Sequence, residues 1–268
     1  MHPRLISSLV LLDPVIQERS AEIDLSDPQP GSLARLSTFR RDSWPSREEA
    51  EVSFKKSAFY NAWDPRVLQR WVKHGLRDTP TALQRHKQRP EVTLTTTPSQ
   101  EVFTYLRPNY DGYGVNGKPV NRSTHADIDT SRPRLYPFYR PESPNVYFRL
   151  HELRPTVLFV FGGESLVSDA SRDEEKIART GTGQGGSGGV VEGRVKGVTF
   201  EGVGHLIPME AVDKTAETMA EWIGGESVRF RDEMQQQEVW KSRTVEEKQR
   251  IDDTWKKMIG GPPKRAKI

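Results

Sequence analysis

The 268-residue chain carries 40 basic and 37 acidic side chains, a formal net charge of +3, and no cysteine, which excludes disulfides, thiol nucleophiles and thiolate metal sites. A hydrophobic fraction of 34% and a mean hydropathy of -0.71 are lean for an autonomous enzyme, yet 29% charged residues without a long polar repeat still describe a globular chain. The longest apolar runs, such as Leu9 to Leu12 and Val157 to Phe161, fall far short of the roughly 20 residues a membrane-spanning helix needs, so no membrane span is expected.

In chain order, Met1 to Ser7 reads as the end of a helix. Leu5 to Leu12 reads as a nearly continuous apolar strand, of the kind buried on both faces of a parallel sheet. From Gln17 to about Leu150 proline and arginine become frequent and apolar runs shorten. Ser46 with Glu49 makes a capping-box signature for a helix through about Phe59. Asp64 and Pro65 cap and start a second helix with Val67, Leu68, Trp71 and Val72 on one face, and Gly75 stops it. The aromatics Phe54, Phe59, Tyr60, Trp63 and Trp71 either line an apolar pocket or pack this insert onto the sheet. Glu91 to Thr97 reads as a strand and Asn109 to Asn121 as a glycine-rich loop.

Two further strands follow, Thr156 to Phe161 and Val195 to Glu201. After the second, Gly202 and Gly204 flank His205, ahead of a helix with Val212, Ala216, Met219 and Ile223 three or four apart. This is how an α/β enzyme holds a general base. The turn puts the imidazole at the carboxyl end of the sheet, where open α/β folds place ligands, and histidine is the side chain whose ordinary titration spans physiological pH. Beyond Gly224-Gly225 the chain is charged and helical, Thr244 with Glu247 forms another capping box, and Ile251, Trp255, Met258 and Ile259 make an apolar stripe. Residues 226–268 hold 11 basic and 8 acidic side chains, an excess equal to the whole net charge.

A serine hydrolase needs its nucleophile on a strained strand-to-helix elbow, usually Gly-x-Ser-x-Gly. Ser187, in Gly185 to Gly189, satisfies the spacing but lies after a helix and before a strand. Ser165 follows a strand but lacks the closing glycine. Gly181, Gly183 and Gly186 match the dinucleotide pattern, yet no helix opens after them and no P-loop lysine is near, so a mobile surface loop near the active-site rim is expected and no cofactor. The six histidines show no HxxxH or HExxH spacing, so no metal is expected either. Arg40, Arg41 and Trp44 invite a nucleic-acid reading, but the near-balanced charge makes a solvated face the better account.

Several stretches carry a family resemblance: MHPRLISSLVLLDPVI at residues 1–16, RRDSWPSREEA from Arg40, PFYRPE from Pro137, LRPTVLFVFGGES at Leu153 to Ser165, DEEKIARTGTGQGGSGG at Asp173 to Gly189 and the strand, His205 loop and helix of Gly193 to Ile223. Together they resemble the C-terminal half of a fungal α/β-hydrolase of the AB hydrolase-1 type, similar to hydrolases of toxin biosynthesis. The resemblance implies an α/β fold with a partial hydrolase sheet made of C-terminal strands (1–16 and 151–225), a mainly helical lid insert (17–150) and a C-terminal helical tail (226–268). It implies His205 as the base and a nucleophile just before Met1. In many such hydrolases the acid follows the second of these strands, where Ser165 stands here. That departure favours Asp13, which ends the first strand, with Glu164 the alternative and Asp169 a turn later.

The implied function is hydrolysis of a small apolar ester or thioester, and the alternative is a catalytically inactive remnant that binds a ligand or partner. The last three residues, Ala266, Lys267 and Ile268, keep the small, cationic and aliphatic character of a C-terminal peroxisomal address. The expected location is the peroxisome through its import receptor, otherwise the cytoplasm. A basic nuclear-type patch at Pro262 to Lys267 and a disordered end compete with it.

Overall fold

The apolar run after Ile6 forms β1 (Ser8–Leu12). The computed structural model describes residues 5–18, 32–82, 91–110, 123–124, 126–127 and 137–261. Residues 5–7 are not helical, and Met1 to Arg4 lie outside the described residues. β1 is half-buried, not buried on both faces, and Leu5 and Ile6 are exposed. The reason is its place in the sheet, where among the described residues it pairs with one strand only.

The insert follows. α1 (Leu33–Thr38), capped by the Ser32 side chain, leads to the short β2 (Ser43–Trp44) and to α2 (Arg47–Lys55), where Ser46 Oγ accepts the Glu49 N–H at 3.2 Å. α2 ends at Lys55 and not near Phe59, because the Lys56 N–H turns back to Ser53 and Ser57 is extended, restarting the chain as α3 (Ala58–Asn61). α4 (Pro65–His74) is capped by Asp64 and followed by Gly75, where a Cβ would lie 2.7 Å from Trp71. β3 (Leu76–Asp78) and β4 (Val92–Leu94) join β2 in a small antiparallel sheet of order β2-β4-β3. So the insert holds strands as well as helices.

Trp44, Ala50, Phe54, Leu68, Leu76, Val92 and Leu94 form a core of this insert, with Tyr60, Trp71 and Val72 packed on it. The expected aromatics mostly meet edge to face, Tyr60 to Trp63 at 4.9 Å and Trp63 to Trp71 at 5.7 Å between ring centres, so they pack on one another within the insert. Arg40 pairs with Glu101 at 2.7 Å and Arg41 lies 5.4 Å over Trp44, partners within the chain for both cations. α5 (Pro98–Glu101), β5 (Arg107–Pro108), β6 (Phe138–Tyr139) and α6 (Glu142–Arg149) complete the insert. Most of the expected loop at Asn109 to Asn121 lies outside the described residues.

β7 (Thr156–Gly162) is buried along its whole length because it is central, with β1 parallel on one side and β8 (Val195–Phe200) parallel on the other. Val157, Phe159 and Phe161 face Val195, with Leu9, Leu11 and Ile177 packed against them. Between β7 and β8 runs α7 (Ala170–Arg179), which packs so closely on the sheet that a Cβ at Gly197 would lie 2.2 Å from Ile177. α8 (Ile207–Glu210) and α9 (Val212–Ser242) close this part.

The chain divides into two compact units, Met1–Met219 and Ala220–Ile268. α9 continues through Gly224 and Gly225, where the sequence suggests a change, since a helical glycine costs only about 1 kcal/mol relative to alanine. Of the four apolar residues spaced three or four apart, Ala216 and Ile223 are exposed, while Thr215 is buried with its hydroxyl on the Ala211 carbonyl at 2.6 Å. In the second unit, α10 (Val245–Gln249) has its capping box from Thr244 and Glu247, and α11 (Asp253–Ile259) starts afresh from Asp252. The expected stripe is therefore broken between Ile251 and Trp255, and both are exposed. Among the described residues no helix is long and apolar enough to cross a membrane.

Candidate active site

Three parallel strands end at the same edge, and their carboxyl ends build the site. β1 delivers Asp13, whose N–H continues the ladder by donating to Val160 at 2.7 Å. Asp13 takes a positive φ of 43°, an uncommon conformation for a residue with a side chain, and is 1% exposed. Burying a carboxylate demands partners, and three donors meet it. Gly162 N–H reaches Oδ1 at 3.3 Å, while the Ser165 hydroxyl, at 2.5 Å, and His205 Nδ1, at 2.6 Å, share Oδ2.

His205 comes from the turn after β8. Gly202 there has φ 73°, which glycine adopts without strain. The turn rests directly on the end of β7, since a Cβ on Gly162 would lie 2.3 Å from the Gly204 carbonyl oxygen and 2.7 Å from that of Val203. The backbone N–H groups of Gly163 and Glu164 donate to Phe200 and Val203, stitching the two turns together. With Nδ1 facing a buried carboxylate, the Nδ1–H tautomer is favoured and Nε2 keeps its lone pair. The His205 side chain is 40% exposed. Its other ring nitrogen therefore has a route to solvent or to a reacting group.

Of the three carboxylates the sequence offers, Asp13 is the one brought to His205. Glu164 stands in an exposed turn after β7 and makes none of these contacts, while its N–H donates to the Val203 carbonyl. Asp169 caps α7 by accepting from the Arg172 N–H at 3.0 Å. Ser187 lies at the far end of the sheet. Its N–H donates to Leu153, ahead of β7, and its loop runs into the first residue of β8. A strand of this length separates it from His205 by roughly 20 Å. The glycine run is neither near the active-site edge nor an open loop. Gly181, Gly183 and Ser187 donate to the carbonyls of Leu150, His151 and Leu153, and a side chain at Gly186 would strike Gly181 and His151.

Two participants gave weak signals in the sequence. Ser165 was legible only as a poor nucleophile candidate, and its hydroxyl is instead committed to Asp13. Glu210, with no recognisable spacing, accepts the N–H groups of Gly204 and Leu206 at 2.7 and 3.3 Å. The insert reaches the same place. Asp64 N–H donates to the Met209 carbonyl at 2.8 Å, and Arg66 bridges Asp64 and Asp213. Arg66 holds the Asp64 carboxyl at about 2, well below the usual carboxylate range, through its side chain first and its backbone N–H second. Among the described residues no group of three or more histidine, aspartate or glutamate side chains is arranged to hold a metal.

A parallel sheet whose carboxyl edge seats a buried aspartate against a loop histidine is the arrangement of an α/β-hydrolase. The comparisons agree: the homologues of the chain are fungal acyl-CoA thioesterases and abhydrolase-domain proteins. It is 37% identical, over 97% of its length, to type I acyl-CoA thioesterase mpaH of Penicillium brevicompactum, and covers 62% of that protein. It is 28% identical, over 82% of its length, to abhydrolase domain-containing protein AFT2-1 of Alternaria alternata, covering 74% of it. In fold it is similar to the peroxisomal α/β-hydrolase Lpx1 of Saccharomyces cerevisiae, with a TM-score of 0.52 at 14% identity over 91% of this chain and 57% of that one. No family model matches. The chain thus spans about three-fifths of the length of the thioesterase it matches.

Proposed function

We propose that His205 and Asp13 are the base and acid of a serine-type acyl hydrolase whose substrate is an apolar ester or thioester, an acyl-CoA thioester foremost. The observation that carries the reading is the 2.6 Å contact between His205 Nδ1 and a buried Asp13 carboxylate, in a homologue of acyl-CoA thioesterases. In this reading Nε2 takes the proton of an attacking hydroxyl and returns it to the leaving thiolate or alkoxide, while Asp13 orients the ring and stabilises the imidazolium. Residues 17–150 act as the lid. Among the described residues no hydroxyl is hydrogen-bonded to His205 Nε2, and in this reading the attacking serine lies outside them. That observation also favours a second reading, in which the 268 residues bind an acyl ligand or a partner without turnover.

An acyl-CoA assay separates these readings, because turnover releases CoA and the 268 residues, without cysteine, add no thiol of their own. The 268 residues alone are expected to release no CoA above a His205→Ala variant. Joined to the portion of the Penicillium thioesterase that the match leaves uncovered, they are expected to release it, with a loss of roughly 10²–10⁴-fold in His205→Ala. Release that persists in His205→Ala overturns the catalytic reading. A folded chimera that binds acyl-CoA without turnover selects the second one.

We further propose a peroxisomal location read from Ala266, Lys267 and Ile268, which lie outside the described residues. The tripeptide retains the small, cationic and aliphatic sequence of such an address. A fluorescent protein ending in Gly260 to Ile268 is expected to become punctate with a peroxisomal marker and to disperse when Ile268 is deleted. Nuclear accumulation that survives the deletion would favour the basic patch instead.

A further inference from the structure

We propose that Glu210 is a positioning residue that sets the His205 ring against Asp13 by gripping the backbone on both sides of the histidine. The inference rests on the reading of His205 as the base and adds to it the device that holds the base in register. Glu210 Oε2 accepts from the N–H of Gly204 and Oε1 from the N–H of Leu206, the residues before and after His205. One carboxylate thus satisfies both N–H groups that flank the imidazole, by charge-assisted bonds that are stronger than neutral ones.

The rest of the turn is shaped to permit this grip. The Glu210 N–H donates to the Leu206 carbonyl at 3.0 Å while Leu206 N–H donates to the Glu210 side chain, so the two residues are bonded in both directions. A Cβ at Gly204 would lie 2.9 and 3.1 Å from the two carboxylate oxygens, so glycine is what admits the carboxylate. Gly204 in turn lies on Gly162, whose N–H donates to Asp13. The acid, the base and the grip therefore close one circuit, Asp13 to Gly162 to Gly204 to Glu210 to Leu206, with His205 between the last N–H pair. The one-turn α8, anchored by the fully buried Ile207, brings Glu210 back under the loop.

The test uses the whole chain and three variants, read by backbone amide exchange and by the low-field Nδ1–H proton of His205. Glu210→Gln keeps one carboxyl-type oxygen and turns an NH2 group onto the other N–H. One of the two amides, Gly204 or Leu206, is then expected to exchange about tenfold faster than in the parent while the other stays protected, and the His205 proton signal shifts or broadens. Glu210→Ala is expected to release both amides. A uniform rise in exchange across the chain, or no change at either amide, overturns the proposal. Asp13→Asn serves as the control for the underlying reading: if the His205 proton signal survives that change, the base assignment fails, and if it is lost there but untouched in both Glu210 variants, only the grip fails.

Discussion

The Ser165 hydroxyl donates to Asp13 Oδ2 at 2.5 Å, the same oxygen that faces His205 Nδ1. The hydroxyl is itself fixed, because it accepts the Val167 N–H at 3.2 Å. A serine so engaged orients a carboxylate and is not free to attack. Its removal leaves a buried carboxylate one donor short, so Ser165→Ala is expected to lower stability by about 1–3 kcal/mol, measured by chemical denaturation. A serine-directed fluorophosphonate is expected not to label Ser165. Labelling that maps to Ser165, with unchanged stability in the alanine variant, would contradict this account.

Gly162 is the point where β7 meets the His205 turn. Any Cβ there collides with two backbone carbonyls, which cannot swing aside as a flexible side chain would. Gly162→Ala is expected to destabilise by about 3 kcal/mol or more and to move the His205 turn away from Asp13. Gly202→Ala meets open space and bears only the strain of a positive φ, so it should cost less. Equal denaturation midpoints for the two variants would count against the packing described.

Much of this arrangement is legible in the residues. Asp13 and His205 each follow an apolar run at a turn, which is enough to place each after a strand, and the fold sets those strands, β1 and β8, on either side of β7. The partners that hold them are not legible, for a physical reason. The grip of Glu210 spans six residues through a turn and one helical turn, and no periodicity marks it. The run from Gly181 to Gly189 shows the opposite limitation, since glycine content suggests mobility while the acceptors that order it, Leu150, His151 and Leu153, lie about thirty residues earlier. At Gly224-Gly225 the glycines suggest a boundary, and α9 passes through because nothing there adopts the left-handed conformation that ends a helix.

Asp64 supplies a pH prediction for the contact between insert and His205 turn. Its carboxyl is held at about 2 against an ordinary value of 3.8, by hydrogen bonds from Arg66. A carboxyl with a depressed folded value stabilises fully above the unfolded value, and that contribution is lost as pH falls from about 3.8 through about 2. In a carbon-detected titration Asp64 is expected to titrate near the lower value, and Arg66→Ala to move it toward 3.8. An unchanged midpoint in Arg66→Ala would show that the pairing is absent in solution.

Asp13, and no other carboxylate among the described residues, faces Nδ1 of His205. A proton spectrum of the low-field imidazole region of the whole chain tests it most directly, compared with His205→Ala, Asp13→Asn and Glu164→Gln. One exchange-protected signal is expected, lost in the first two variants and kept in the third. A signal that survives Asp13→Asn, or that vanishes in Glu164→Gln, would contradict it.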